Sequence, residues 1–218
     1  AEKEGTERLT YTLYAAKYSR SQLVEMVLAE GGIAYTKRDF TLRAGDHRSP
    51  EFMAANPYGW IPALIDADGE AMGETPAINL WLAETHGLTD LVPAADDPDR
   101  RRFLTAFHNV LGEIEPAMKR MFYPARYAPT PDLTDAAREL SWQAIEERLS
   151  LIDPILAEGG PYFLGNRYSL ADLTLAYWNV YTLNRRNLAA YPAVAKAFDL
   201  VRIRPKIADL FQMHIDQT

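Results

Sequence analysis

Three short stretches place polar side chains where a helix is about to begin. In GETPAI, residues 73–78, the acid Glu74 and the hydroxyl Thr75 stand at the mouth of an expected helix, downstream of a strand that opens on Ile61-Pro62. On its own, Thr75 reads as a helix cap with Pro76 in the first turn. In YSLADLTLAYW, residues 168–178, Ser169 and Asp172 have the S-x-x-D spacing of a capping box. The serine oxygen can accept from a backbone N–H near Asp172, and the carboxylate can reach back to the Ser169 N–H at the positive end of the helix. In YSRS, residues 18–21, three hydroxyls, Tyr18, Ser19 and Ser21, lie between a strand-like run and a helix-like run, and either serine suits that helix as an N-cap.

Other chemistries are poorly served. The chain has no cysteine, which removes disulfides, thiolate ligands and a cysteine nucleophile together. Its four histidines, His47, His86, His108 and His214, show no metal-binding spacing, so no metal is expected. A net charge of −7 argues against a surface that tracks nucleic-acid phosphates. No apolar run approaches the ~20 residues that a bilayer span needs, and no basic segment followed by an apolar stretch stands at the start. The polar opening AEKEGTE reads as a loose end. A cytoplasmic protein is the expectation, and 48% hydrophobic residues in 218 can support a large buried core.

The elements that must carry these residues fall into two halves. RLTYTLYAA, 8–16, alternates as a strand, and SQLVEMVLAEGG repeats apolar residues at helical spacing, with Leu23, Met26, Val27 and Glu30 expected to divide a buried side from a wet one. A second strand is expected in IAYTKRDFTL, then a polar loop with a turn of helix, a hairpin from IPALID through ADGE to AMG, and a helix over TPAINLWLAETHG. Beyond the Pro- and Asp-rich LTDLVPAADDPD only helical periodicity follows. Phe103, Phe107, Leu111, Ile114, Met118 and Phe122 paint one face of a long helix, which Pro116 should bend or break. Trp142, Ile145, Leu149, Ile152 and Leu156 paint a second, and shorter helices are expected near 169–184, 191–201 and 205–215.

With NPYGWIPAL, GETPAI and FLGNRYSLAD in this order, across residues 9–215, the chain resembles a cytosolic glutathione S-transferase. The resemblance implies a thioredoxin-like α/β domain at 8–88, a linker at 89–97 and an all-helical domain at 98–218 that carries the electrophile pocket. It also implies a cis Pro62, with the Ile61 backbone pairing strand-like with the cysteinyl part of glutathione. Glu74 and Thr75 would hold the γ-glutamyl end, the hydroxyl and helix N–H groups taking its carboxylate and Glu74 its ammonium. Ser19 matches the hydroxyl that donates to the glutathione sulfur, with Ser21 and Tyr18 as alternatives.

Two departures from the family pattern stand out. Trp60 replaces the Lys or Gln that often precedes the Ile-Pro, leaving Arg20, His47 or Arg48 to meet the glycine carboxylate. Without cysteine, exchange through a mixed protein disulfide is excluded. For the second substrate, EIEPAMKRMFYPARY offers Glu115, Met118, Lys119, Phe122 and Tyr123, walls suited to a hydrophobic electrophile, though a stripe at this spacing also suits a core. The resemblance implies a homodimeric glutathione transferase with glutathione as co-substrate and a role in detoxification. Isomerisation, dehalogenation or ether cleavage at the same site is the alternative within enzymes, and a non-catalytic binding module is the alternative outside them.

Overall fold

The computed structural model describes residues 11–218, so the expected opening segment and the first residues of the first strand lie outside the described residues. The chain forms two compact units, one running through Gly87 and taking in Gln217, the other beginning at Leu88.

In the first unit the order is β1 (Tyr11–Ala15), α1 (Ser21–Gly31), β2 (Tyr35–Asp39), α2 (Pro50–Ala55), β3 (Ala63–Ile65), β4 (Ala71–Gly73) and α3 (Thr75–Thr85). The four strands make one sheet in the order β2-β1-β3-β4. β2 is parallel to β1, as a strand returned by a helical crossover must be, while β3 and β4 are antiparallel neighbours joined by a tight turn. That turn carries Gly69 at φ 86°, with Asp66 accepting the Asp68 and Glu70 N–H groups. Register does the rest of the positioning. Tyr14 pairs with Ala63 and Ala63 with Gly73, so the end of β1, the residues before β3 and the residue after β4 share one end of the sheet.

Beneath that end, Tyr14, Ala16, Phe40, Phe52, Ile61 and Ala63 form a buried cluster. Its rings meet at 4.9 Å (Tyr14–Phe40) and, edge to face, 5.2 Å (Phe40–Phe52). The polar stretch before β3 is more regular than a loop. Ser49 caps α2 by accepting from the Phe52 N–H at 3.3 Å, and Pro50 opens the helix where no N–H is needed. α1 departs from the expected amphipathic reading, because Ser21 through Leu28 are all buried, Gln22 and Glu25 included. The Glu25 carboxylate survives burial by meeting Lys37 at 3.1 Å and accepting from the Tyr35 hydroxyl at 3.1 Å. That same burial and the neighbouring carboxylate push the Tyr35 hydroxyl well above the usual phenol range.

The second unit is helical: α4 (Arg100–Asn109), α5 (Glu115–Phe122), α6 (Thr134–Gly159), α7 (Leu170–Arg185), α8 (Pro192–Arg202) and α9 (Ala208–Asp216). Pro116 does not break its helix, since helical backbone continues from α4 through α5. A π-helical stretch, Val110–Ile114, joins α4 to α5, and Asn109, Val110, Ile114 and Glu115 keep right-handed helical backbone angles. Widening the coil just before the proline accommodates a residue that can neither donate an N–H nor sit against the preceding turn. The extra residue rotates the stripe, so Val110 is fully buried while Leu111 is only half-buried. On α6 the expected Trp142, Ile145, Leu149, Ile152 and Leu156 are all buried. Asp153 of that helix accepts the Ala193 and Val194 N–H groups at 2.8 and 3.0 Å, capping α8 from a neighbouring element. α9 starts at Ala208 rather than at Pro205, because the chain first closes a turn through Ile207 N–H to Arg204 C=O.

Candidate functional site

The first wall of the site is the turn between β1 and α1. Tyr18 has φ 59°, a conformation costly for a side chain with a Cβ, and it is 69% exposed. Ser19 follows half-buried, and Ser21 is wholly buried. Their hydroxyls lie 2.9 Å apart and share one acceptor, the Ala16 carbonyl, at 2.8 Å from Ser19 and 3.2 Å from Ser21. The Ser21 N–H also reaches Ser19 Oγ, and the Ala16 N–H reaches Ser21 Oγ, each at 3.3 Å. Arg20 occupies the N-cap position of α1 without a capping hydrogen bond from its own side chain, and Ser19 Oγ, one residue earlier, accepts the first N–H of the helix. Both hydroxyls face each other at the positive end of α1.

The second wall is the loop that enters β3. The Ile61–Pro62 peptide is cis. Asn56, which the sequence reading did not single out, organises this loop. Its side chain is buried, donates to the Trp60 carbonyl at 2.6 Å and accepts from the Tyr58 N–H at 3.2 Å. An Asn opening a Pro-containing loop is a turn signal, and only burial turns it into a brace. Trp60, 47% exposed, lies beneath the Arg48 guanidinium, 5.9 Å from its ring centre. Gly59, at φ 66°, makes room for Arg48, since a Cβ there would collide with Arg48 Nη1. His47 Nδ1 is buried and has no hydrogen-bond partner among the described residues.

The third wall is the mouth of α3. Glu74 takes the N-cap position at φ 65° and ψ 107°, its carbonyl accepting from the Ile78 N–H. Thr75 is therefore the first helical residue and not the cap, and Pro76 follows it inside the first turn. The Thr75 side chain is 1% exposed, and its hydroxyl has no hydrogen-bond partner among the described residues. A buried hydroxyl left unbonded costs about 1–3 kcal/mol, and this one stands at the N-terminus of α3. The Arg20 guanidinium stands 3.9 Å from the Glu74 carboxylate and links the first wall to the third.

The expected pocket residues belong to the second unit. Glu115 is buried and meets Lys119 at 3.4 Å, and Met118 is wholly buried. Phe122 packs edge to face on Tyr181 at 4.6 Å, and Tyr123, 48% exposed, lies under Arg126 at 4.3 Å. Burial pushes the Tyr181 hydroxyl up to about 12. In the same unit Ser169 and Asp172 form a capping box. Asp172 Oδ2 accepts the Ser169 N–H at 2.9 Å and its O–H at 2.7 Å, while Oδ1 accepts the Phe163 N–H at 2.8 Å. Burial outweighs these three donors and lifts the Asp172 carboxyl to about 6. Among the described residues no cluster of His, Cys, Asp and Glu could hold a metal ion, and no helix is long and apolar enough to cross a membrane.

Both halves of the chain match known proteins. Residues 19–85 match the family model "Glutathione S-transferase, N-terminal domain", and residues 118–213 match "Glutathione S-transferase, C-terminal domain". The maleylacetoacetate isomerase of Rhizobium meliloti (strain 1021) is 35% identical over 178 residues, covering 80% of this chain and 82% of the relative. Two solved structures share the fold over nearly the whole chain. The glutathione transferase URE2P6 of Phanerochaete chrysosporium, in complex with oxidized glutathione, superposes with a TM-score of 0.83 at 23% identity, covering 95% of this chain and 97% of that one. A sphingomonad glutathione S-transferase complexed with glutathione gives 0.78 at 25% identity, covering 93% and 98%. A cis-proline loop, a hydroxyl pair at the first helix and an acid–hydroxyl pair at the third thus sit in a chain matched in both halves: it belongs to the glutathione S-transferase family.

Proposed function

We propose that this protein is a glutathione-dependent enzyme that holds the tripeptide across the shared end of its first sheet and presents the sulfur, as thiolate, to a small hydrophobic electrophile. Thr75 carries the reading. Its buried hydroxyl lacks a partner among the described residues, beside an acid held at positive φ, and a zwitterionic amino-acid head would satisfy both. In this reading Thr75 and the first N–H groups of α3 take the γ-glutamyl carboxylate, Glu74 takes the ammonium, and the Ile61 backbone pairs with the cysteinyl unit. Trp60, Arg20 and His47, with Arg48, lie on the same unit and complete the glutathione contacts.

Ser19 then donates to the sulfur. Lowering a thiol pKa from ~8.5 by two units takes about 2.7 kcal/mol, within reach of one charge-assisted hydrogen bond and a helix end. The thiolate attacks an electrophilic carbon, forming the carbon–sulfur bond as that carbon's leaving group departs with its bonding pair, the rate coming from positioning and from the stabilised charge. Glutathione binding is assigned to the first unit, and the second unit carries the candidate electrophile pocket, with Glu115, Met118, Lys119, Phe122 and Tyr123 as its residues. Family membership supports a cytoplasmic homodimer with a detoxifying role.

A second reading rests on the 35% identical maleylacetoacetate isomerase. There the thiolate adds to a conjugated double bond, the resulting single bond turns, and elimination restores the alkene and releases the thiolate, so no glutathione is consumed. Calorimetric titration with glutathione tests the binding shared by both readings, and no heat at millimolar ligand overturns them. Parallel assays with maleylacetoacetate and with a chlorodinitrobenzene then separate isomerisation from net transfer.

A further inference from the structure

The Ser19 and Ser21 hydroxyls read as competing candidates in the sequence, but their geometry makes them one unit. Three oxygens, Ser19 Oγ, Ser21 Oγ and the Ala16 carbonyl, form a triangle with edges of 2.8, 2.9 and 3.2 Å. Only two hydroxyl protons serve its three edges. Ser21, wholly buried and anchored by the Ala16 N–H, is the fixed member, whereas half-buried Ser19 is the one that solvent or a ligand can reach.

Resting on the proposed role of Ser19, we infer that Ser21 is a positioning residue that frees the Ser19 proton for the glutathione sulfur. When Ser19 turns its O–H from the Ala16 carbonyl toward an incoming thiolate, that carbonyl would lose a donor. Ser21 replaces it, or donates directly to Ser19 Oγ. In the second arrangement Ser19 accepts from the Ser21 O–H and the Ser21 N–H while donating outward, and hydrogen bonds in series strengthen one another. No covalent bond changes, and each hydroxyl keeps its proton. Ser21 never touches the sulfur, so it should govern the acidity of the bound thiol and not the affinity for the peptide.

The test is a pH titration of thiolate absorbance for glutathione bound to the wild-type, Ser19→Ala and Ser21→Ala proteins, alongside their affinity for S-methylglutathione, which has no thiol proton. The inference expects Ser21→Ala to raise the apparent pKa of the bound thiol by about 0.5–1 pH unit, less than Ser19→Ala does, with S-methylglutathione affinity unchanged. A wild-type titration curve for Ser21→Ala beside a shifted one for Ser19→Ala overturns the inference and leaves Ser19 in place. A shift in Ser21→Ala alone makes Ser21 the sulfur's donor and overturns both assignments, as does no shift in either variant. Loss of S-methylglutathione binding in Ser21→Ala assigns Ser21 a purely structural role and likewise overturns the inference.

Discussion

The Asn56 side-chain amide occupies the space where a Cβ on Gly73 would stand, its nitrogen 2.9 Å and its carbon 3.0 Å from that point. Asn56 also holds the Trp60 carbonyl at 2.6 Å, so one buried amide ties the cis-proline loop to the last residue of β4, directly before Glu74. Gly73→Ala should push that amide aside. Overpacking of a buried contact costs about 1–3 kcal/mol, and loss of the Trp60 bond should weaken glutathione binding. Asn56→Ala should do the same by removing the brace. Because both act through one contact, the double variant should lose less stability than the two single losses together, which urea unfolding of the four proteins measures.

Thr75→Val tests the site by opposing signs. The Thr75 hydroxyl is buried and has no partner among the described residues, so replacing it with a methyl should leave the ligand-free protein equally stable or more so. A hydrogen bond from that hydroxyl to a carboxylate is worth about 1.5–3 kcal/mol, and glutathione affinity should fall roughly ten- to a hundredfold. Thermal unfolding without ligand and calorimetry with it read the two effects separately.

Glu74 offers a second such pair. At φ 65° and ψ 107° it holds a conformation that a residue with a Cβ adopts only at a cost of about 1–3 kcal/mol. Glu74→Gly should relieve that cost, partly offset by the greater freedom of glycine in the unfolded chain. Higher stability toward urea together with weaker glutathione binding is the expected result, whereas Glu74→Gln keeps the backbone penalty and loses only the charge.

How far the sequence foretold this site follows from what each residue needed to be noticed. The order of strands and helices was legible in the alternation of residues 8–16 and the helical stripes beyond residue 100, and the register then brings the three walls to one sheet end. Family likeness supplied the cis Pro62, which no local spacing would reveal. Asn56 escaped because its importance lies in burial and in its contact with Gly73, seventeen positions away, neither of which has a sequence signature. The π turn before Pro116 escaped because a proline in a helical stripe signals a break, and only packing decides between breaking the helix and widening it. The two serines stayed ambiguous because residues two apart were read as alternatives for a single place, whereas the turn at Tyr18 folds both onto the Ala16 carbonyl.

In the second unit, two buried groups predict a pH dependence with opposing signs. His214 is stacked flat on Tyr177 at 4.1 Å and bonded to that residue's carbonyl, and burial lowers its pKa from 6.5 to about 4. Its unfolded form binds the proton more readily, so the stability it contributes is complete above pH 6.5 and is lost as pH falls through 4. Asp172 moves the other way, from 3.8 to about 6, because burial favours its neutral form. Here the folded state holds the proton more tightly, so the contribution is complete below pH 3.8 and is lost as pH rises through 6. Each shift corresponds to about 3 kcal/mol, and between pH 4 and 6 the two nearly cancel. Replacing either group should uncover the other. His214→Phe, which keeps the stack, should lose stability as pH rises from 4 to 6, and Asp172→Asn should gain it over the same interval. Urea midpoints at half-unit pH steps give the slopes; parallel slopes for the two variants would remove this pairing as the source of the wild-type profile.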